Sequence, residues 1–152
     1  MQIKILAVGA RMPDWVNLAC TEYSKRLPRN WLKIIEIPTQ QKFRSTHEAM
    51  TREGEKLLSA IHDRDRVIAL EVRGDAWSTE ELSRQLASWQ MQGNTVSLLI
   101  GGPSGLSADC LARSQQQWSL SPLTLPHPLV RVVLLEQLYR AWSILQNHPY
   151  HK

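Results

Sequence analysis

Residues 97–106 read Ser-Leu-Leu-Ile-Gly-Gly-Pro-Ser-Gly-Leu, an apolar run that stops abruptly on glycines. A short apolar run bounded by glycine and proline is typical of a buried strand. Ligands of open α/β sheets bind beyond the carboxyl ends of such strands, where glycine lets the backbone come close to them. The stretch therefore predicts a buried strand followed by a ligand-binding turn. The alternative is a tight strand-to-helix turn that binds nothing.

The glycines match neither of the two common phosphate-binding motifs. A dinucleotide site needs Gly-x-Gly-x-x-Gly and a P-loop ends in Gly-Lys-Ser or Gly-Lys-Thr, and residues 101–106 contain neither. Without a lysine to meet phosphates, the turn favours an adenosine-type ligand held by backbone groups and apolar walls. A second turn-rich segment, residues 118–128, precedes the last helix and is expected to complete the cradle.

Apolar segments alternate between the periods of strands and helices along the whole chain. Strands are predicted at residues 3–8, 32–37, 67–72 and 97–100. Helices are predicted at residues 14–26, 47–61, 78–93, 107–116 and 128–146, with Pro128 as the first helical residue of the last one. This alternation predicts an α/β fold with a mostly parallel sheet and helices on both faces. No repeat or linker interrupts it, so residues 1–152 are interpreted as one domain.

Composition limits the compartment and the cofactors. The two cysteines, Cys20 and Cys110, are too few for a zinc site and lie among helix-compatible residues, so we expect no metal and a reducing, cytoplasmic location. The apolar amino terminus is too short for a signal peptide, and no segment is long enough to span a membrane.

Positive charge is concentrated in the amino-terminal part of the chain. Residues 1–44 carry eight Lys and Arg against three Asp and Glu, which accounts for the whole net charge of +4. A basic cluster on an otherwise neutral domain indicates a polyanionic partner, although ordinary solubility charge is the alternative. Phe43 lies between Lys42 and Arg44, where it could stack on an unpaired base or simply anchor a loop.

The predicted last helix is apolar around most of its circumference. Such a helix must be buried on several sides, although one face of a terminal helix is normally exposed to water. Because obligate interfaces resemble a domain core cut in half, the pattern favours a homodimer.

Three long segments, residues 98–106, 118–131 and 139–151, resemble the ribosomal large subunit methyltransferase H family. The resemblance begins at Ala7-Val8-Gly9 and Met12-Pro13-Asp14-Trp15 and covers the whole chain. It implies a SPOUT methyltransferase, whose α/β fold ties the carboxyl-terminal part into a deep trefoil knot that binds S-adenosylmethionine in a bent shape. It also implies a homodimer that methylates N3 of a pseudouridine in the helix 69 loop of 23S rRNA, on the assembled 70S ribosome.

The same resemblance implies the residues of the site. Cofactor contacts are expected from Leu70, Gly101, Leu120, Ser121, Pro122, Leu123, Thr124 and Leu125. Simple core packing is the alternative for the three leucines of the last run. The reaction requires that the pseudouridine nitrogen be aligned with the methyl group and lose its N3 proton, and the candidates for this work are His127, Arg131, Tyr150 and His151. In the family the carboxyl-terminal tail completes the active site of the partner subunit.

Overall fold

The computed structural model describes residues 1–40 and 45–152, and within these residues strands and helices alternate along the chain. The elements are β1 (Ile3–Val8), α1 (Asp14–Arg26), β2 (Leu32–Ile37), α2 (Thr46–Ser59), β3 (Arg66–Ala76), α3 (Thr79–Gln92), β4 (Val96–Ile100), α4 (Ala108–Arg113), β5 (Gln116–Ser119) and α5 (His127–Leu145).

All strand pairs in the sheet are parallel, and the strand order is β2-β1-β4-β3-β5. Ile5 of β1 lies between Ile34 of β2 and Leu98 of β4, so β1 and β4 occupy the middle of the sheet. Parallel pairing brings every carboxyl end to one edge, and the glycines that follow β4 therefore open at that edge. The predicted parallel sheet is confirmed.

Helices cover both faces of the sheet, as the sequence predicts. Ile3 and Ile5 of β1 pack into a core that α1, α3 and α5 cover, whereas Leu6 and Val8 pack into a second core under α2 and α4. Side chains alternate between the two faces of a strand, so a strand covered on both sides is apolar throughout. This is why the apolar runs of β1 and β4 could be recognised in the sequence.

The apolar surface of α5 is covered in part by its own chain. Leu134, Leu135, Leu138 and Ala141 are fully buried between α1, α3 and the sheet. The helix therefore needs less cover from a second subunit than its composition suggests. The homodimer stays a prediction.

Several element boundaries differ from those predicted. The helix expected at residues 107–116 covers only Ala108–Arg113, because Ser107 caps its first turn and the chain then enters β5, a strand that was not predicted. β3 continues to Ala76. The last helix begins at His127, which makes Pro128 its second residue. The Lys42-Phe43-Arg44 motif lies outside the described residues.

No helix in the described part of the chain is both long and apolar enough to cross a bilayer. Residues 1–40 and 45–152 also hold no group of three His, Cys, Asp or Glu side chains that could bind a metal ion.

Candidate cofactor and active site

A cavity of about 490 Å³ opens at the carboxyl edge of the sheet, beside the ends of β4 and β5 and residues 70–72 of β3. This volume is in the range of small-molecule and cofactor sites. Most of the lining is apolar, with Ile100, Leu106 and Val130 among the walls. Of the residues expected to bind a cofactor, the cavity is lined by Leu70, Gly101, Leu120, Ser121, Leu123, Thr124 and Leu125.

The glycine turn after β4 forms one wall and depends on the absence of side chains. The Gly105 N–H donates to the Gly102 carbonyl at 2.9 Å, which closes the turn, and Gly105 has a left-handed φ of +85°. A Cβ on Gly101 would lie 2.7 Å from the Gly105 carbonyl carbon and 2.9 Å from the Leu106 nitrogen. Both are backbone atoms, so only glycine at position 101 lets the turn fold back on itself so tightly.

The leucine run after β5 forms the opposite wall. The Ser121 hydroxyl accepts a hydrogen bond from the Leu123 N–H at 2.9 Å, and the Ser119 hydroxyl donates to the Ser121 carbonyl at 3.0 Å. Leu123 is 70% exposed, so the alternative interpretation of core packing does not hold for it. Pro122 is exposed and does not line the cavity. An exposed leucine at a cavity wall gains apolar cover when a ligand binds.

The third wall is a bulge in β3. Leu70 and Asp75 both pair with Trp118 of β5, so residues 71–74 are extruded between them. Gly74 lies so close to β5 that a Cβ would be 2.5 Å from the Gln117 carbonyl carbon. The extrusion adds Glu71 to the cavity lining, and the sequence did not indicate this residue.

His127 lines the cavity at the amino end of α5, and Arg131 holds it from behind. Arg131 is only 4% exposed, and its guanidinium donates to His127 Nε2 at 3.0 Å, to Glu36 Oε2 at 2.7 Å and to the Gly9 carbonyl at 2.8 Å. The hydrogen bonds of Arg131 thus connect α5 to the carboxyl ends of β1 and β2.

Burial, followed by the Arg131 cation, lowers the pKa of His127, and the Gly101 carbonyl and Glu36 oppose this shift only in part. The ring is therefore neutral near pH 7. Because Nε2 accepts from Arg131, the hydrogen-bond network assigns the ring proton to Nδ1. Nδ1 is buried near the Gly101 carbonyl and makes no well-formed hydrogen bond within the described residues.

Tyr150 and His151 lie against their own α5 and α3, and neither lines the cavity. The Tyr150 hydroxyl donates to Glu136 Oε1 at 3.2 Å, and its ring packs edge-on against Tyr139 with 4.6 Å between centroids. His151 Nε2 is 3.1 Å from Glu80 Oε1. Burial, together with Tyr23 and Glu136, raises the pKa of Tyr150 to about 12.

The four predicted catalytic residues therefore form two separate pairs within one chain. Glu136, which holds Tyr150, is nine residues after His127 in α5, a distance of about 14 Å along the helix axis.

The sequence profile described as Predicted SPOUT methyltransferase matches residues 1–151 of this chain. A protein of Hahella chejuensis named ribosomal RNA large subunit methyltransferase H is 57% identical, over all of this chain and 99% of its own length. The protein of the same name from Saccharophagus degradans is 54% identical over the full length of both. The chain belongs to the SPOUT methyltransferase family.

Among the solved structures that match, two share the fold of this chain. One is a putative methyltransferase from Legionella pneumophila, Lpg2936, in complex with the bound cofactor SAM; it aligns with a TM-score of 0.53 and 12% identity over 93% of this chain. The other is a probable methylase family protein from Haemophilus influenzae, with a TM-score of 0.60 and 12% identity over 95% of this chain. This chain covers 66% of each of these structures. The prediction of a methyltransferase that uses S-adenosylmethionine is confirmed by the family.

In this SPOUT methyltransferase three basic side chains of the amino-terminal part, Lys25, Arg26 and Arg29, lie at or just after the end of α1. Lys25 and Arg29 line a groove of about 820 Å³ between α1 and β2, and neither forms an ion pair with any described residue. Arg26 is paired with Glu22 at 3.0 Å. The groove therefore presents unpaired positive charge, which suits an anionic ligand or surface.

Sequence reasoning identified the glycine turn and the leucine run, and missed three further features of this SPOUT site. These are the β3 bulge with Glu71, the Trp118 ring in the cavity wall and the burial of Arg131. Gly74 lies against β5 at the end of the bulge, and no local pattern could have predicted this long-range contact. An arginine four residues after His127 on one helix was the available signal for their pairing.

Proposed function

We propose that this SPOUT methyltransferase transfers the methyl group of S-adenosylmethionine to N3 of the pseudouridine in the helix 69 loop of 23S rRNA, on the assembled 70S ribosome. Residues 1–152 would act as one domain in the cytoplasm, with the deep carboxyl-terminal trefoil knot of the family. The observation that carries the proposal is the cavity between the glycine turn and the leucine run, in a chain whose full-length relatives are named for ribosomal RNA large subunit methylation.

The cavity residues fit the cofactor. Gly101 brings bare backbone to the cavity, and the apolar side chains of Leu70, Leu120 and Leu125 can enclose an adenine ring. The cofactor supplies a methyl group that is already activated by its sulfonium. The chain is left with three tasks: it must hold the cofactor, orient the base and assist the loss of the N3 proton.

We assign the proton chemistry to His127, Arg131, Tyr150 and His151. Neutral His127 lines the cavity and carries a buried Nδ1–H without a well-formed partner. This donor would stabilise charge on a base that loses its proton, while Arg131 fixes the orientation of the ring. Tyr150 and His151 reach a cavity only if they come from a second subunit, because their own chain holds them elsewhere.

A homodimer would join the two pairs. Trp15 and Leu18, both on α1, are 52% and 72% exposed, which is unusual for two large apolar side chains close together. A twofold axis beside α1 and α5 would cover them and place the tail of one protomer at the cavity of the other. Lys25 and Arg29 would then contact rRNA phosphates, which position an enzyme without reading sequence.

The first test is methyl transfer from labelled S-adenosylmethionine to 70S ribosomes that lack the modification, followed by mapping of the labelled nucleotide. Label at the helix 69 pseudouridine supports the proposal. Cofactor binding without ribosome labelling would move the search to another RNA, and absence of cofactor binding would leave a non-catalytic RNA-binding module.

Complementation between two inactive variants tests the shared site. One variant carries Gly101→Ala and the other lacks residues 150–152. Random mixing after unfolding and refolding makes half of the dimers mixed, each with one intact site, so activity should return to about a quarter of the wild-type value. Two tail-less preparations treated in the same way are the control. Full activity of the tail-less variant alone would refute the shared site.

A further inference from the structure

Among the described residues that line the cavity, Glu71 is the one whose side chain carries a formal charge at neutral pH. The remaining lining residues are apolar or neutral, and His127 is neutral because its pKa is lowered. Glu71 itself is half-buried. Its carboxylate accepts a long hydrogen bond of 3.4 Å from the Arg73 N–H and forms no ion pair with another described residue. The cavity thus contains an unpaired anion.

The β3 bulge fixes the position of this anion. Glu71 directly follows Leu70, and residues 71–74 lie outside the pairing of β3 with β5, between the two residues that pair with Trp118. Gly74, at the end of this bulge, lies against the Gln117 backbone. Without the extrusion the strand would continue its pairing with β5, and residue 71 would lie within the sheet. The bulge therefore brings a carboxylate to a cavity whose other walls are apolar.

We propose that the Glu71 carboxylate selects the charged methyl donor over the demethylated product. S-adenosylmethionine carries a permanent sulfonium cation, whereas S-adenosylhomocysteine has a neutral thioether and nearly the same shape. When two ligands differ by one methyl group, contacts with apolar walls change the binding affinity by at most about ten- to 200-fold. A fixed anion adds an electrostatic preference that acts on the charge alone.

The size of the cavity makes this effect substantial. A space of 490 Å³ corresponds to a sphere about 10 Å across, so a ligand sulfur lies within roughly one Debye length of Glu71 at physiological salt. The attraction is therefore only partly screened. The same preference would help release the product, since the ligand loses its attraction to Glu71 when the methyl group leaves. This inference rests on the cavity being the cofactor site, as proposed above.

The test compares the dissociation constants of S-adenosylmethionine and S-adenosylhomocysteine for the wild type and Glu71→Gln, measured by isothermal titration calorimetry. The variant should bind S-adenosylmethionine about five- to tenfold more weakly, and the product with less than a twofold change. Glu71→Asp retains the charge and should retain most of the preference. Asp63→Asn makes the same charge change in the exposed turn before β3, at the opposite edge of the sheet, and should change neither constant.

Salt provides a second readout that a merely structural role would not affect. Raising the salt concentration should reduce the preference of the wild type and leave that of Glu71→Gln unchanged. Equal weakening of both ligands would show that Glu71 binds a group they share, such as the ribose, and would overturn the inference. Unchanged constants would also overturn it. If the wild type bound neither ligand, the proposed function itself would fail.

Discussion

Replacement of Gly101 by alanine should damage both the fold and the cofactor site. The new Cβ would lie 2.7 Å from the Gly105 carbonyl carbon, roughly 0.7 Å closer than ordinary van der Waals contact, and 2.9 Å from the Leu106 nitrogen. Because these neighbours are backbone atoms, the clash cannot be relieved by a change of rotamer. The turn must open, and the cavity wall that it forms must move with it.

The magnitude follows from this displacement. Overpacking of this kind costs about 2 kcal/mol in the free energy of unfolding. A shift approaching 1 Å in a positioning element lowers the rate by up to about 100-fold. We therefore expect Gly101→Ala to lose about 2 kcal/mol of stability, to bind S-adenosylmethionine at least tenfold more weakly and to lose most of its turnover.

Gly93→Ala is the matched control. Gly93 has a left-handed φ of +76° at the end of α3, and no atom lies within 4 Å of the point that a Cβ would occupy, so alanine there costs about 1 to 2 kcal/mol through backbone strain alone. It should lose stability and keep its cofactor affinity. Urea unfolding and calorimetric titration measure both quantities. Wild-type affinity in Gly101→Ala would show that the turn does not form the cofactor wall.

Three further predictions concern separate parts of the molecule. Burial alone would raise the pKa of Asp65, but hydrogen bonds from Lys4 and neighbouring groups outweigh it and hold the pKa below its ordinary value of 3.8. The stability from this pair is complete above that value and lost as pH falls through the folded pKa, so urea midpoints should fall below about pH 4 in the wild type and less steeply in Asp65→Asn. Arg131→Met should lose about 2 kcal/mol of stability in urea, because it leaves the buried Gly9 carbonyl and the partly exposed Glu36 carboxylate without their donor. Trp118 lines the cavity, so cofactor binding should change tryptophan fluorescence in the wild type and much less in Trp118→Phe.

Each of these has a result that would contradict it. Parallel pH curves for the wild type and Asp65→Asn would show that the pair does not control acid stability. Full stability of Arg131→Met would mean that the hydrogen bonds from α5 to the ends of β1 and β2 are dispensable. An undiminished fluorescence change in Trp118→Phe would place the ligand away from this wall.

The elements that could be predicted are those marked by neighbouring residues, either a continuous apolar run or a capping residue at a helix end. β1 and β4 are buried on both faces and therefore consist of continuous apolar residues. Both ends of α3 could be predicted because their causes lie within a few residues. Ser78 caps the start, where its hydroxyl accepts a hydrogen bond from the Glu81 N–H at 3.0 Å, and Gly93 ends the helix in the left-handed conformation.

The features that could not be predicted depend on contacts between distant residues. β5 is short and begins with two glutamines, so it lacks the alternation that marks a strand. The β3 bulge depends on the approach of Gly74 to another strand, and the burial of Arg131 depends on β1 and β2. The leucine run was predicted to bind the cofactor only because of the family resemblance. Its leucine residues alone favoured core packing.

The hydrogen bonds of Arg131 also determine when the site can form during folding. Its hydrogen bond to Gly9 joins two residues that are 122 positions apart in the sequence. Contacts of such sequence separation form late in folding, because a long loop must close first. β1 is synthesised before α5, and Arg131 can fix His127 at the cavity only after α5 has been made. A chain in which α5 has not yet been made therefore lacks a complete site.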